Sequence, residues 1–147
     1  GWLYIYSPKG NKAIIKGFEF DLGYHLSDFQ IDYNLSFVQG DNLTLDLPLS
    51  YINPMKELLS FSFNRKDMNL KLRFIKIHSQ NRLGEFETYT SGAFLTDLVL
   101  SYSHINYDLS IQFNNIFNEE YYNHLSRIKS IMPEAGRNVV ISYKLFF

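Results

Sequence analysis

The chain has 147 residues, a formal net charge of −1 and no cysteine. That length allows one domain or part of one. The near balance of charge argues against a nucleic-acid surface or a basic membrane-adhering patch, and the lack of thiols excludes a disulfide framework and thiolate metal sites. Aromatic residues reach 17% beside 20% charged, yet no stretch approaches the roughly 20 apolar residues of a membrane helix.

The opening segment "GWLYIYSPKG" has no charged n-region or cleavage site of a signal peptide; its "WLYIY", Trp2 to Tyr6, reads as the end of a strand. From Ile14 onward the chain alternates with period 2. Ile14, Phe18, Phe20, Leu22 and Tyr24 share one face, with Lys16 as the exception, while Glu19 and Asp21 lie on the other. After "LSD" the pattern restarts, with Phe29, Ile31, Tyr33, Leu35 and Phe37 against Gln30, Asp32, Asn34 and Ser36. Leu59, Phe61 and Phe63 follow, then Leu70, Leu72 and Phe74 against Lys71 and Arg73. Phe94 to Tyr102, Tyr107 to Phe113 and Val139 to Phe147 complete seven alternating strands.

The connections alternate in length. "LSD", "RKDM" and "HINYD" are short, whereas Gln39 to Pro54, Ser79 to Gly92 and Asn118 to Gly136 are long. A soluble antiparallel sheet with one wet face alternates in the same way. Short turns at one end, long loops at the other and aromatics at the strand ends are the pattern of an outer-membrane barrel. The expected fold is therefore all-β, an antiparallel up-and-down transmembrane β-barrel segment of about eight strands. In hydrocarbon every backbone polar group must be paired, so the sheet closes on itself and its charged side faces inward. Lys16 lies near the long-loop end, where a cation can snorkel to water.

The last third, "NNIFNEEYYNHLSRIKSIMPEAGRNVVISYKLFF", carries Asn115, Ile116, Phe117, Asn118, Tyr121 and Tyr122, then Pro133, Gly136, Arg137 and Asn138, before a strand that ends on Phe147. In this order and spacing it resembles the C-terminal end of a TonB-dependent outer-membrane receptor. "NKAIIKGFEFDLGYHL" and "PLSYINPMK" resemble earlier parts of the same barrels, and Ala135 stands where the family usually has proline. The resemblance implies a barrel of about 22 strands filled by an N-terminal plug. Residues 1–147 would be the C-terminal portion of that barrel, with the plug absent. It also implies residence in the bacterial outer membrane and active uptake of a scarce ligand, such as a ferric siderophore, haem or cobalamin. The implied partners are outer-membrane lipid, the TonB energy-transducing complex (reached through the missing N-terminal region), an iron-chelate ligand and the barrel-assembly machinery. That machinery would read the final strand, with Tyr143, Leu145 and Phe147 as its signal; a plain interfacial anchor is the other reading. The alternative for the whole chain is a complete eight-stranded outer-membrane barrel with a structural or adhesive role.

Candidate chemistry is sparse. His25, His78, His104 and His124 lie singly, without metal-ligand spacing, and adjacent Glu119 and Glu120 point to opposite faces of any strand. No catalytic residue and no cofactor is indicated. Tyr121, Tyr122, His124 and Arg127 gather in one outer loop, where they would either contact a ligand, through haem-ligating or anion-gripping groups, or pack the loop on itself. Arg137 and Asn138 are expected to satisfy loop backbone groups or to touch ligand.

Overall fold

The computed structural model describes residues 10–147; the strand end expected in "WLYIY" lies outside them. Among the described residues there is no helix. The strands are β1 (Ala13–Leu26), β2 (Phe29–Asn42), the two-residue β3 (Leu47–Pro48), β4 (Lys56–Arg65), β5 (Met68–Ile77), β6 (Ala93–His104), β7 (Tyr107–Asn114) and β8 (Asn138–Leu145). They form one antiparallel meander in the order β1-β2-β4-β5-β6-β7-β8, with β3 paired to the end of β2. The seven expected alternating segments are thus the seven long strands. Among the described residues β1 and β8 lie at opposite edges and do not pair with each other, so the sheet is open.

The strands extend further toward the long loops than alternation suggests. β2 continues past Phe37 to Asn42, pairing with β1 as far as Ala13, because its polar end can still ladder with a neighbour once hydrophobic patterning has stopped. At the other end the two-residue turns Ser27–Asp28, Lys66–Asp67 and Ile105–Asn106 share one device. The carbonyl of the second turn residue accepts an N–H from the next strand: Asp28 from Asn64 at 2.7 Å, Asp67 from Ser103 at 2.8 Å and Asn106 from Phe146 at 2.8 Å. Phe146 is thus tied to the wall although β8 proper ends at Leu145.

Register places like with like across the sheet. One row runs Phe29, Phe63, Leu70, Leu100, Ile111 and Ile141. On the opposite face Asp32, Ser60, Arg73 and Asp97 align. The burial is inside out: Ser60, Ser62 and Asp97 are buried, while Phe18, Phe20, Phe29, Leu70, Ile141 and Tyr143 are exposed. Several inner polar groups pair with one another, although Ser62 Oγ and Arg73 Nε are buried without a partner. Arg73 pairs with Asp97 at 3.0 Å, and Asp97 also accepts the Asn115 N–H at 2.9 Å. Gln30 donates to both oxygens of Asp32.

Charges bound the apolar face. On β4 the outward positions run from Glu57 through Leu59, Phe61 and Phe63 to Arg65; on β5 they run from Met68 through Leu70, Leu72 and Phe74 to Lys76. Glu57 sits on the apolar face at the long-loop rim, which the shorter strand expected at Leu59 to Phe63 did not include. There its carboxylate accepts the Tyr33 hydroxyl at 2.8 Å and lies 2.6 Å from His78 Nε2. Aromatics collect at both margins: Phe74 stacks on Phe94 at one, and Tyr107 lies between Tyr102 and Tyr143 at the other. The band between them suits strands of about 9–11 tilted residues crossing a bilayer.

Candidate functional site

Three long loops leave the same end of the wall: L1 (43–55), L2 (78–92) and L3 (115–137). L3 is fixed at its base by the residues that carried the family resemblance. Asn115 is buried in a left-handed conformation (φ 49°) that asparagine tolerates. Its N–H reaches Asp97, its amide donates to the Glu119 carbonyl at 2.8 Å, and its side-chain oxygen accepts the Glu119 N–H at 2.8 Å. Asn118 Oδ1 then accepts the Arg137 N–H at 2.9 Å, so the two motifs form a single staple across the loop base. A Cβ at position 136 would stand 2.8 Å from that oxygen, so a side chain there would push the Asn118 carboxamide off the Arg137 N–H. Asn138 bonds to the Gly136 carbonyl and to Asn114, each at 2.9 Å.

The three loops converge on Glu87. Its carboxylate accepts the Tyr51 N–H from L1 and the Gly84 N–H from its own loop, both at 2.7 Å. From L3, His124 Nε2 approaches to 3.1 Å, off the line of a good hydrogen bond. The His124 side chain is fully buried and that of Glu87 is only 6% exposed. On the far side of the ring, Nδ1 lies 2.9 Å from Thr90 Oγ1 and 3.3 Å from Lys129 Nζ. An ammonium only donates, so Nδ1 is the acceptor and the neutral ring carries its proton on Nε2, facing Glu87. Lys129 Nζ also donates to Thr88 O at 2.6 Å and Thr90 Oγ1 at 2.7 Å. L1 and L2 touch closely: a Cβ on Gly84 would fall 2.5 Å from the Ser50 nitrogen.

Competing forces set the protonation of this clamp. Burial pushes the Glu87 carboxyl up, but the Tyr51 and Gly84 N–H groups, with His124, outweigh it and hold the carboxyl below its ordinary value. Burial and then the Lys129 ammonium push the His124 pKa down, against the pull of Glu87. A carboxylate and a neutral imidazole therefore face each other.

Beneath the clamp lies a cavity of about 500 Å³ between L3 and the inner wall. Tyr121, Tyr122, His124 and Glu134 line it from L3, and Glu19, Ser36 and Lys56, which share one inner row, line it from the wall. Burial, then the charges of Glu134 and Asp97, raise the Tyr121 pKa; a hydrogen bond to Glu120 raises that of Tyr122. Both phenols stay protonated donors at neutral pH. Arg127 does not join them: its guanidinium lies over the Tyr51 ring, 5.5 Å from the centroid. His124 lines the same cavity but is held as part of the clamp. Glu87, Thr90 and Lys129 were not singled out in the sequence. Among the described residues no group of three or more His, Asp or Glu side chains converges to hold a metal ion. At the C-terminus Tyr143 and Leu145 sit in the outward row, and Phe147 is fully exposed.

No protein-family model matches the sequence, and no curated protein matches it. Solved structures do. "Copper transporter OprC" aligns with a TM-score of 0.87 at 22% identity, over 93% of this chain and 24% of that one. The FrpB iron transporter from Neisseria meningitidis (F3-3 variant) aligns with a TM-score of 0.72 at 17% identity, over 89% of this chain and 23% of that one. The chain spans about a quarter of the length of each of these transporters. The shared fold is the all-β, up-and-down antiparallel wall that the resemblance to TonB-dependent outer-membrane receptors implies.

Proposed function

We propose that this chain is the C-terminal part of the barrel of a TonB-dependent outer-membrane receptor, and that the cavity beneath L3 is part of its ligand path. The observation that carries the reading is the inside-out wall: polar residues buried on one face, a charge-bounded apolar band exposed on the other. Only a sheet standing in lipid gains from that arrangement. The fold shared with proteins named as copper and iron transporters supports a metal-containing cargo; a ferric siderophore, haem or cobalamin is the class that the family resemblance adds. Among the described residues the edges of β1 and β8 are open, which favours a section of a larger barrel over a closed eight-stranded one. On this reading the plug and the contact with TonB belong to regions outside residues 1–147, and Tyr143, Leu145 and Phe147 form the signal for the barrel-assembly machinery.

Tyr121 and Tyr122 are the ligand contacts, Tyr121 through its protonated phenol and both through their ring faces, the Tyr122 hydroxyl being donated to Glu120; His124 and Lys129 hold L3 so that those rings meet the cavity, and Arg127 braces L1. The test uses the full protein carrying this chain, in outer membranes. It should bind one of a ferric siderophore, haem or cobalamin saturably and take it up only while the proton-motive force is intact. Tyr121→Ala with Tyr122→Ala should weaken binding about tenfold, the scale of one to two aromatic contacts. Unchanged affinity would remove these residues from the path, and uptake indifferent to the proton-motive force would remove the transporter reading.

A further inference from the structure

We propose a binding site for one anionic phospholipid on the outer face of the wall, at the β4–β5 turn. A groove of about 750 Å³ opens there. Its floor is apolar: Phe63, Leu70, Leu100 and Ile111 align in one cross-strand row, and Leu109 stands in the next row toward the turns. Beyond it, away from the turn, the following row (Phe61, Leu72, Leu98 and Phe113) is apolar as well. At the turn end the lining changes to Arg65 and Lys66. Arg65 is two residues past Phe63 and therefore on the same face. The left-handed conformation of Lys66 (φ 50°) puts it at the corner of the turn. Among the described residues no carboxylate lies within ion-pair distance of either cation: the pairs formed there are those of Arg73, Lys76, His78, Arg82 and His124.

An apolar track with charge at one end only has the polarity of a phospholipid. An acyl chain lies over Leu70 and Leu100, and the phosphodiester meets Arg65 and Lys66. The sign is specific to this place. The β1–β2 turn offers Ser27 and Asp28, the β6–β7 turn Ile105 and Asn106, and neither adds a cation. Asp67 subtracts one charge from the pair, leaving a net +1 opposite the single charge of a phosphodiester. A Lys or Arg near an anionic lipid surface contributes about fivefold in affinity, and the contribution fades with salt.

This inference rests on the membrane reading, and the experiment separates the two. The full protein carrying Leu109→Trp is reconstituted into phosphatidylcholine vesicles in which either phosphatidylcholine or a minor share of phosphatidylglycerol has brominated acyl chains. Quenching of the groove tryptophan by brominated phosphatidylglycerol should exceed its share of the lipid about fivefold, and Arg65→Gln with Lys66→Gln should abolish the excess. Asp67→Asn should raise the excess, a gain that misfolding does not produce. Quenching in proportion to lipid composition, unaffected by these changes, would overturn the site and leave the membrane reading intact. No quenching by either lipid would overturn both.

Discussion

Replacing Glu87 with alanine isolates the clamp from the wall that carries it. The carboxylate accepts two backbone N–H groups at 2.7 Å, from Tyr51 and Gly84. Hydrogen bonds to a charged group contribute about 1.5–3 kcal/mol each, so the gross loss is about 3–6 kcal/mol. The misaligned His124 contact adds little. Against this stands the cost of keeping a carboxylate buried, which the truncation relieves. The lowered pKa of Glu87 shows that attraction exceeds that cost in the native protein. A net loss of about 3 kcal/mol in the docking of L1 onto L2 follows, near the low end of the range for two charge-assisted bonds. At 1.4 kcal/mol per factor of ten, hydrogen exchange at the Tyr51 and Gly84 amides should accelerate about a hundredfold. Exchange at Leu59, Leu72 and Leu98 should not change, because those amides sit in the strand ladder. The assay is amide exchange, read residue by residue or by peptide mass, on the full reconstituted protein. Unchanged exchange at Tyr51 and Gly84 would refute the claim that Glu87 joins the loops; acceleration extending into the strands would refute the claim that loops and wall are energetically separate.

Acid should open the same clamp in two stages. His124 has a folded pKa below its ordinary 6.5, so its contribution is complete above about pH 6.5 and is lost progressively as pH falls through that value toward the folded pKa. Protonating Nδ1 also removes the acceptor for Lys129 and sets two cations 3.3 Å apart. Glu87, depressed from 4.5, contributes above that value and loses its share as pH falls through its lower folded pKa. Protease accessibility of L3 should therefore rise in a first step below about pH 6.5, and His124→Gln should remove that step; a flat profile in the native protein would contradict the assignment. Asn118→Ala should cost about 1 kcal/mol, the scale of one hydrogen bond, and speed exchange at the Arg137 amide about fivefold without altering the β7–β8 ladder; equal acceleration at Ile141 would show that the staple belongs to the sheet.

The seven long strands were legible because period-2 alternation is a direct consequence of a sheet with two unlike solvents. Where the two faces cease to differ, the signal ends. β2 runs on through Val38 to Asn42 by backbone pairing alone, and β4 starts early enough to carry Glu57 onto the apolar face. Tyr121, Tyr122 and His124 were recognisable as a group because they are neighbours in the chain, and the structure brings them to one cavity. Their supports were not legible. Glu87, Thr90 and Lys129 sit in irregular loops, separated in sequence from the groups they bind by up to 41 positions, as Lys129 is from Thr88. No periodicity spans such a distance. Arg127 was grouped with them by proximity in sequence, and the loop turns it instead toward Tyr51.

The bond between Asn118 and Arg137 bears on how such a protein can change. With both feet of L3 held by groups that belong to its ends, the segment between them can exchange residues, lengthen or shorten without shifting the register of β7 against β8. The outer surface of L3 can then change its chemistry while the wall beneath it stays the same.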